Sequence, residues 1–345
     1  MKKFRLSFLI VLSINVIQIL RLFADDTYVE IAGGAAKIMD EHNSISMVSE
    51  YVIMDITKSE YYTVDASFEF YNNGVDTETV VGFPQVEWVM NNDDLKDEEF
   101  SNFVSFKTFI NESEAKTVVI PNSEKKTDVK KWIIKTVKFP SQKVTKTRVI
   151  YKAPYGDVSG RTILALYLYG TGGSWYGSIG KVIFDLRFSN DTWIQIENSN
   201  YLYPFMSLWW KKRSGQEIPM VIFKRRKNEM IWELKDIEPQ PNDYFKISLG
   251  GHGRHIPWGY SFDWDKNKLD EPCLELLSMW QLKIFRNEFY ARHGRIFKDK
   301  KLQEYFESQD WYKPNPNFSE KMLNKTELEN IKKIKDYETK IEKEK

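Results

Sequence analysis

Cysteine is nearly missing from this chain: 345 residues contain one, Cys273, so no intrachain disulfide can form and the fold must hold itself together by packing. Cys273 itself reads as a small buried apolar residue. An excess of charge of either sign is missing too. Fifty lysines and arginines stand against 49 acids, a formal net charge of +1. The basic clusters at Lys211 to Arg213 and Lys224 to Lys227 are interrupted or balanced nearby. A phosphate-tracking surface needs clustered basic charge, so nucleic acid is not expected as a partner. Catalytic signatures are sparse. No Gly-x-Ser-x-Gly elbow, no His-Glu-x-x-His pair and no nucleophilic cysteine pattern occurs, and there is no repeat of fixed period and no long low-complexity tract.

What is present begins with residues 1–24, where a basic start (Lys2, Lys3, Arg5) leads into an apolar stretch from Leu6 to Leu20 and then Leu22-Phe23-Ala24 before Asp25. This is the layout of a secretory signal peptide, with cleavage expected after Ala24. Arg21 departs from the usual pattern and leaves an uncleaved membrane anchor as the alternative, although the apolar run is short for a spanning helix. No cysteine follows the run, which excludes a lipoprotein anchor there. Removing the four basic residues of this segment, which holds no acid, takes the formal charge from +1 to −3.

Hydrophobic residues make up 42% of the chain, enough for a sizeable core in two or three domains. From residue 48 to about 250 short β-type segments alternate with turns. Val64, Ala66, Phe68 and Phe70 interleave with Asp65, Ser67 and Glu69 at the period of a half-buried strand, and Asn72-Asn73-Gly74 then supplies a turn tolerant of positive φ. Similar runs recur at 115–120, 131–139, 144–151, 161–169, 180–188, 192–197, 218–224, 229–234 and 243–249. No long amphipathic helices alternate with them, so the fold class is α+β by segregated domains: an antiparallel β-sandwich over residues 25–250, as one large or two small sandwiches with a possible break near Ser141, then a small helical domain. Residues 91–102 and 122–130 read as polar loops, and 251–273 as a linker.

The helical domain, residues 274–340, is predicted from caps and stripes. Ser278 with Gln281 resembles a capping box, Asp299 can cap a second helix, and Asn324 with Glu327 starts a third. Trp280, Ile284 and Ala291, with Leu277 before the cap, form one apolar stripe of the first helix; Leu282, Phe285 and Phe289 form another. The second helix carries Leu302, Tyr305 and Phe306, and Leu328, Ile331, Ile334 and Ile341 give the third its apolar side. Gly294 directly after the periodic segment is expected to stop the first helix in the left-handed conformation. Arg286, Tyr290 and His293 should share a face, and Glu288 can reach Arg292. Because these signals are local, the domain is expected to fold on its own or nearly so.

The blocks RNEFYARHGRIF (286–297), LQEYFESQDWYKPN and LNKTELENIKKIKDYE together resemble the YARHG domain, a bacterial extracytoplasmic module named after the residues seen here as Tyr290 to Gly294. The resemblance implies a helical module attached to varied exported proteins and brings no catalytic residue. YVEIAGG (28–34), VVGFP (80–84) and GTGGSWYGSIG (170–180) resemble an exported β-rich bacterial family, again without an implied mechanism.

Candidate chemistry is limited. Gly170 to Gly180 leads into a strand rather than a helix, and Gly180-Lys181 is followed by Val182, so it reads as a turn between strands and not as a nucleotide loop. His252 and His255 could ligate a metal with Asp263 or Asp265 near in sequence, but no metal site is expected. His293 is the candidate general base, with Glu288 and Tyr290 close by; the structural alternative places it on helix-terminal carbonyls. Arg286, Tyr290, Arg292, His293, Trp258, Trp264, Trp311 and Tyr312 are the candidate binding residues, with Trp209-Trp210 as further aromatics that can stack on sugars or peptides. The reading is a non-catalytic exported protein binding a cell-envelope polymer or extracellular protein, with no cofactor. Its alternative is a cell-wall or peptide hydrolase using His293. A membrane is expected as a partner only if the N-terminal segment is retained.

Overall fold

The computed structural model describes residues 28–39, 44–90, 103–123, 129–158, 162–198, 221–241, 243–250, 266–269, 274–309 and 311–344. The signal-peptide reading, most of the predicted linker and Cys273 lie outside these residues. The first strands are β1 (Tyr28–Gly34), β2 (Lys37–Ile38), β3 (Ile45–Asp55), β4 (Tyr61–Asn72), β5 (Thr77–Met90) and β6 (Ser105–Ile110). Next come β7 (Ser113–Glu114), β8 (Val118–Pro121), β9 (Val129–Phe139), β10 (Val144–Pro154), β11 (Gly156–Val158) and β12 (Thr162–Leu168). The last are β13 (Ile179–Arg187), β14 (Ile194–Asn198), β15 (Val221–Arg226), β16 (Glu229–Ile237) and β17 (Tyr244–Gly250). Three α-helices follow: α1 (Met279–Arg292), α2 (Lys300–Glu307) and α3 (Lys325–Lys343).

The strands form two sheets. One runs β14-β17-β12-β11-β1-β5-β9-β8, with β2 added on β5; the other runs β15-β16-β13-β3-β4-β10-β6-β7. Both contribute to one core cluster, in which Phe68, Phe70 and Tyr151 of the second sheet meet Phe83, Phe139 and Tyr167 of the first. β4 alternates buried and half-buried residues along its whole length, as its sequence period demands. Two pairings depart from a purely antiparallel sandwich: β1 with β12 and β3 with β13 are parallel. Parallel neighbours need long crossovers, and here many intervening strands of both sheets make up the crossover, so local alternation gives no sign of it. Consecutive strands often change sheet. The chain crosses from β4 to β5 through Asn72-Asn73-Gly74, and again from β9 to β10 at residues 140–143.

The first of these crossings is held differently from the turn expected there. None of its residues has positive φ. Instead the buried Asn72 side chain donates to the Val75 and Phe139 carbonyls at 2.6 and 2.8 Å, and accepts from the Gly74 amide at 2.8 Å and the Ser44 hydroxyl at 3.1 Å. A fully bonded amide locks the crossing without left-handed backbone. At Gly170–Ser174 the glycines form a short 3-10 turn between β12 and β13, as the sequence indicates, and a Cβ on Gly170 would collide with the Gln240 carbonyl oxygen.

In the helical region all three predicted N-caps are present: Ser278 with Gln281 and Asn324 with Glu327 as reciprocal capping boxes, and Asp299 accepting from Leu302. The two stripes of α1 face two separate cores. Leu282, Phe285 and Phe289 pack with Ile331, Ile334, Tyr337 and Ile341 of α3, while Ile284 and Ala291 pack with Leu302, Phe306 and Tyr312. Leu277 joins the first of these cores rather than the second. Leu328, read as core, is 46% exposed, and Tyr337 takes the apolar position instead.

The helical region is docked on the sandwich. Gln281 Nε2 donates to the Ile194 carbonyl of β14 at 2.7 Å, Arg225 Nη2 of β15 donates to the Leu277 carbonyl at 3.0 Å, and Trp280 N donates to Asn190 O at 3.0 Å. Trp193 stacks on Tyr305 at 6.2 Å, and Lys301 pairs with Asp191. The caps are local, as expected; the packing is shared.

Candidate binding site

The end of α1 carries the sequence candidates, and each of them is occupied by a neighbour. Gly294 has φ +85°, donates to Ala291 O at 2.8 Å and accepts from the Asn315 amide at 2.8 Å. A Cβ there would lie 2.5 Å from Asn315 Cβ and 2.6 Å from Lys313 O, so the glycine is required both by its backbone conformation and by the closeness of the 313–315 loop. His293 is the C-cap, and its Nε2 lies 2.9 Å from Glu327 Oε1; the other Glu327 oxygen accepts from the Asn324 amide at 2.8 Å. One buried carboxylate thus caps α3 and ties it to the end of α1. Arg286 bonds Glu338 of α3 at 2.7 Å, where burial holds the Glu338 carboxyl above the usual range and Arg286 opposes that shift.

On the other side of α1, Arg292 pairs with Glu288 and lies 4.8 Å over the half-exposed Trp311 ring. Burial raises the Glu288 carboxyl, against the pull of Arg292. Tyr290 packs edge-on against Phe318 and under Arg295, and Tyr312 donates from its hydroxyl to the Arg295 carbonyl at 2.8 Å. Arg286 and His293 therefore meet α3 together, as their shared face predicts, with Tyr290 turned to the neighbouring loop. No hydrogen bond joins the side chains of His293, Glu288 and Tyr290: their partners are Glu327, Arg292 and aromatic rings. His293 holds Nε2 against Glu327, so Nδ1 is the ring nitrogen left to accept a substrate proton. Trp258, Trp264, His252, His255, Trp209 and Trp210 lie outside the described residues. Among the described residues no three histidine, cysteine or acidic side chains converge as a metal site would require, and no helix is long and apolar enough to cross a membrane.

The concave feature lies elsewhere, where α3 approaches β15. An open cleft of about 450 Å³ is lined by Phe223, Lys224 and Arg226 of β15 and by Tyr337, Lys340 and Ile341 of α3. Arg225, Glu275 and Glu344 complete its lining. Arg225 is 7% exposed and its guanidinium sits 5.0 Å over the Phe188 ring. Its Nη1 donates to the carbonyls of Arg226, Lys227 and Glu229, and its Nη2 to Leu277 O. Its Nε has no acceptor among the described residues. Burial pushes this guanidinium down to about 10, with Glu344 opposing the shift only weakly, which is the cost of holding a cation away from water without a carboxylate hydrogen-bonded to it. The sequence signal for this cleft was the Lys224 to Lys227 cluster, which charge balance alone makes look neutral: Glu229 does neutralise Arg226 at 2.8 Å, while Lys224 makes no ion pair among the described residues. Period-2 alternation places Arg225 on the inward face, but nothing local announces that one of its partners is the Leu277 carbonyl, 52 residues away at the start of the helical region.

Residues 260–339 match the YARHG domain family, a match that starts upstream of the boundary expected at 274. A search of curated proteins found no match. Among solved structures the chain is similar to a Legionella pneumophila protein, described only provisionally as nutrient binding, at 20% identity and a TM-score of 0.49, covering 90% of this chain and 99% of that one. It is also similar to an M1 zinc metallopeptidase from Deinococcus radiodurans at 9% identity and a TM-score of 0.31, over 60% of this chain and 42% of that one. For leukotriene A4 hydrolase from Saccharomyces cerevisiae the values are 8% and 0.29, over 62% of this chain and 30% of that one. The chain is thus a β-rich protein whose C-terminal helical region matches the YARHG domain, a domain of extracellular proteins, and whose residues Tyr290 to Gly294 close its first helix.

Proposed function

We propose that this chain is an exported, non-catalytic binding protein that takes a cell-envelope or extracellular component into the cleft between the sandwich and the helical region. The observation that carries this reading is the contrast between two places. The motif residues around His293 are consumed by contacts within the fold, whereas the cleft beside β15 is open and lined by cations and aromatic rings. Pockets of a few hundred cubic ångströms with a few polar groups on apolar walls are the usual form of a ligand site. The signal-peptide layout of residues 1–24 and the extracellular association of the YARHG domain support export.

The test is retention of the purified chain, lacking residues 1–24, on isolated envelope fractions. Wild type is compared with Lys224→Glu/Lys340→Glu, which alters the cleft rim at two lysines outside the cores. Wild type is expected to be retained and the double variant released, with equal melting temperatures. Equal retention of both, or retention of neither, removes the cleft as the binding face.

A further inference from the structure

We infer that the cleft between β15 and α3 is a site for a small organic anion, in which a carboxylate or phosphate group meets the basic wall of Lys224, Arg225 and Arg226 while the ligand body lies on Phe223 and Tyr337. This rests on the cleft being the binding face, and adds the ligand's chemistry.

Two independent observations carry it. The first is charge: four cationic side chains line or approach the cleft, Lys224, Arg225, Arg226 and Lys340, against the two carboxylates Glu275 and Glu344. Arg226 is neutralised by Glu229, but Lys224 and Arg225 have no ion-pair partner among the described residues. The second is Arg225 itself, more than nine-tenths buried with one donor unpaired. Among the described residues this guanidinium has only backbone carbonyls as hydrogen-bond partners, leaves Nε without one, and has only the longer-range pull of Glu344 against its charge; a buried charge so weakly compensated is costly. An oxyanion in the adjacent cleft would supply that charge at short range, in a partly desolvated setting where Coulomb attraction exceeds its value in water. The guanidinium fork favours planar carboxylate or tetrahedral phosphate over a halide. The volume of about 450 Å³ suits a small molecule rather than a polymer strand, and the two aromatic residues give its non-ionic part apolar walls.

The experiment is a titration of the full chain, lacking only residues 1–24, with inorganic phosphate and separately with citrate, at ionic strength held constant with sodium chloride. Binding is read by calorimetry and by melting temperature. A saturable heat and a rise in melting temperature with one or both oxyanions are expected, with chloride inert; the winning arm distinguishes a phosphate from a carboxylate ligand. Lys224→Glu/Lys340→Glu should weaken that binding about tenfold or more. Arg225→Lys keeps the charge but loses the fork and should weaken it as well; if that variant fails to fold, the rim variant still decides. No saturable effect of either oxyanion, or an effect undiminished in the rim variant, overturns the inference. If neither oxyanion binds but the rim variant loses envelope retention, the binding face stands and its anionic ligand falls. If oxyanions bind and nothing is retained on envelope fractions, the site stands and the envelope role falls.

Discussion

Glu50 at the middle of β3 and Glu327 in the first turn of α3 are both buried, at 0% and 4% exposure, yet their surroundings treat them differently. Glu50 accepts from the Tyr167 hydroxyl at 2.6 Å through one oxygen, and its other oxygen has no partner among the described residues; burial pushes its carboxyl up to about 8 despite the tyrosine. Glu327 has both oxygens engaged, by a backbone amide and a histidine. The difference follows from the secondary structure. Inside a sandwich most backbone N–H groups are taken up by the ladders, and the Glu50 carboxylate meets only a side-chain donor. A helix N-terminus has amides to spare. The sandwich thus tolerates a buried acid by keeping it protonated, while the helical region builds with one.

The comparison breaks most visibly with pH. Glu50 has a folded pKa raised from 4.5 to about 8, so between those values the folded chain keeps a proton that the unfolded chain has released. Its contribution to stability is present in full below about 4.5, falls as pH rises, and is lost above about 8. Glu50→Gln should remove this slope, a difference on the order of 4 kcal/mol across the window; denaturant melts at pH 5 and 8 that show the same slope in both proteins would refute it. Next is Gly294→Ala. The sequence alone suggests a loss of about 1 kcal/mol from the left-handed backbone; the approach of Asn315 and Lys313 adds an overpacking cost, for about 3 kcal/mol in all, read as a lower denaturation midpoint. Glu327→Ala removes one side of a capping box and the tie to His293, and should cost about 2 kcal/mol, read as a lower denaturation midpoint. Smallest is Leu328→Lys. At 46% exposure it should change stability by less than about 0.5 kcal/mol; a larger loss would mean that α3 buries this residue after all.

The helical region was legible because its signals are short range. A cap reaches three residues, a stripe three or four, and Ser278, Asp299, Asn324 and Gly294 could each be read within one turn. The sandwich was legible where alternation is unbroken, as in β4, and less so elsewhere. In β3 a register shift between Met47 and Ser49 resets the period, and in β5 another falls between Gln85 and Val86, beside Pro84. The parallel pairs and the frequent sheet changes are long-range choices with no local mark. The cleft was illegible for the same reason: Phe223 and Tyr337 come together only once α3 has packed against β15. His293 was singled out by residue type, but its partner lies 34 residues on.

Gln281 completes more than its own capping box. Its side-chain amide donates to Ile194 O and approaches Ile194 N at 3.5 Å, so it stands in for the next residue of a strand alongside β14. Among the described residues β14 ends one sheet and β15 ends the other; the helical region meets the first at Ile194 through Gln281 and the second through the Arg225 side chain. A strand that ends a sheet offers its unpaired amides and carbonyls to any extended chain that meets it. At Ile194 the helical region thus occupies edge groups that an extended chain would otherwise meet, and a chain cut near Leu269 is expected to form more intermolecular sheet than the full chain.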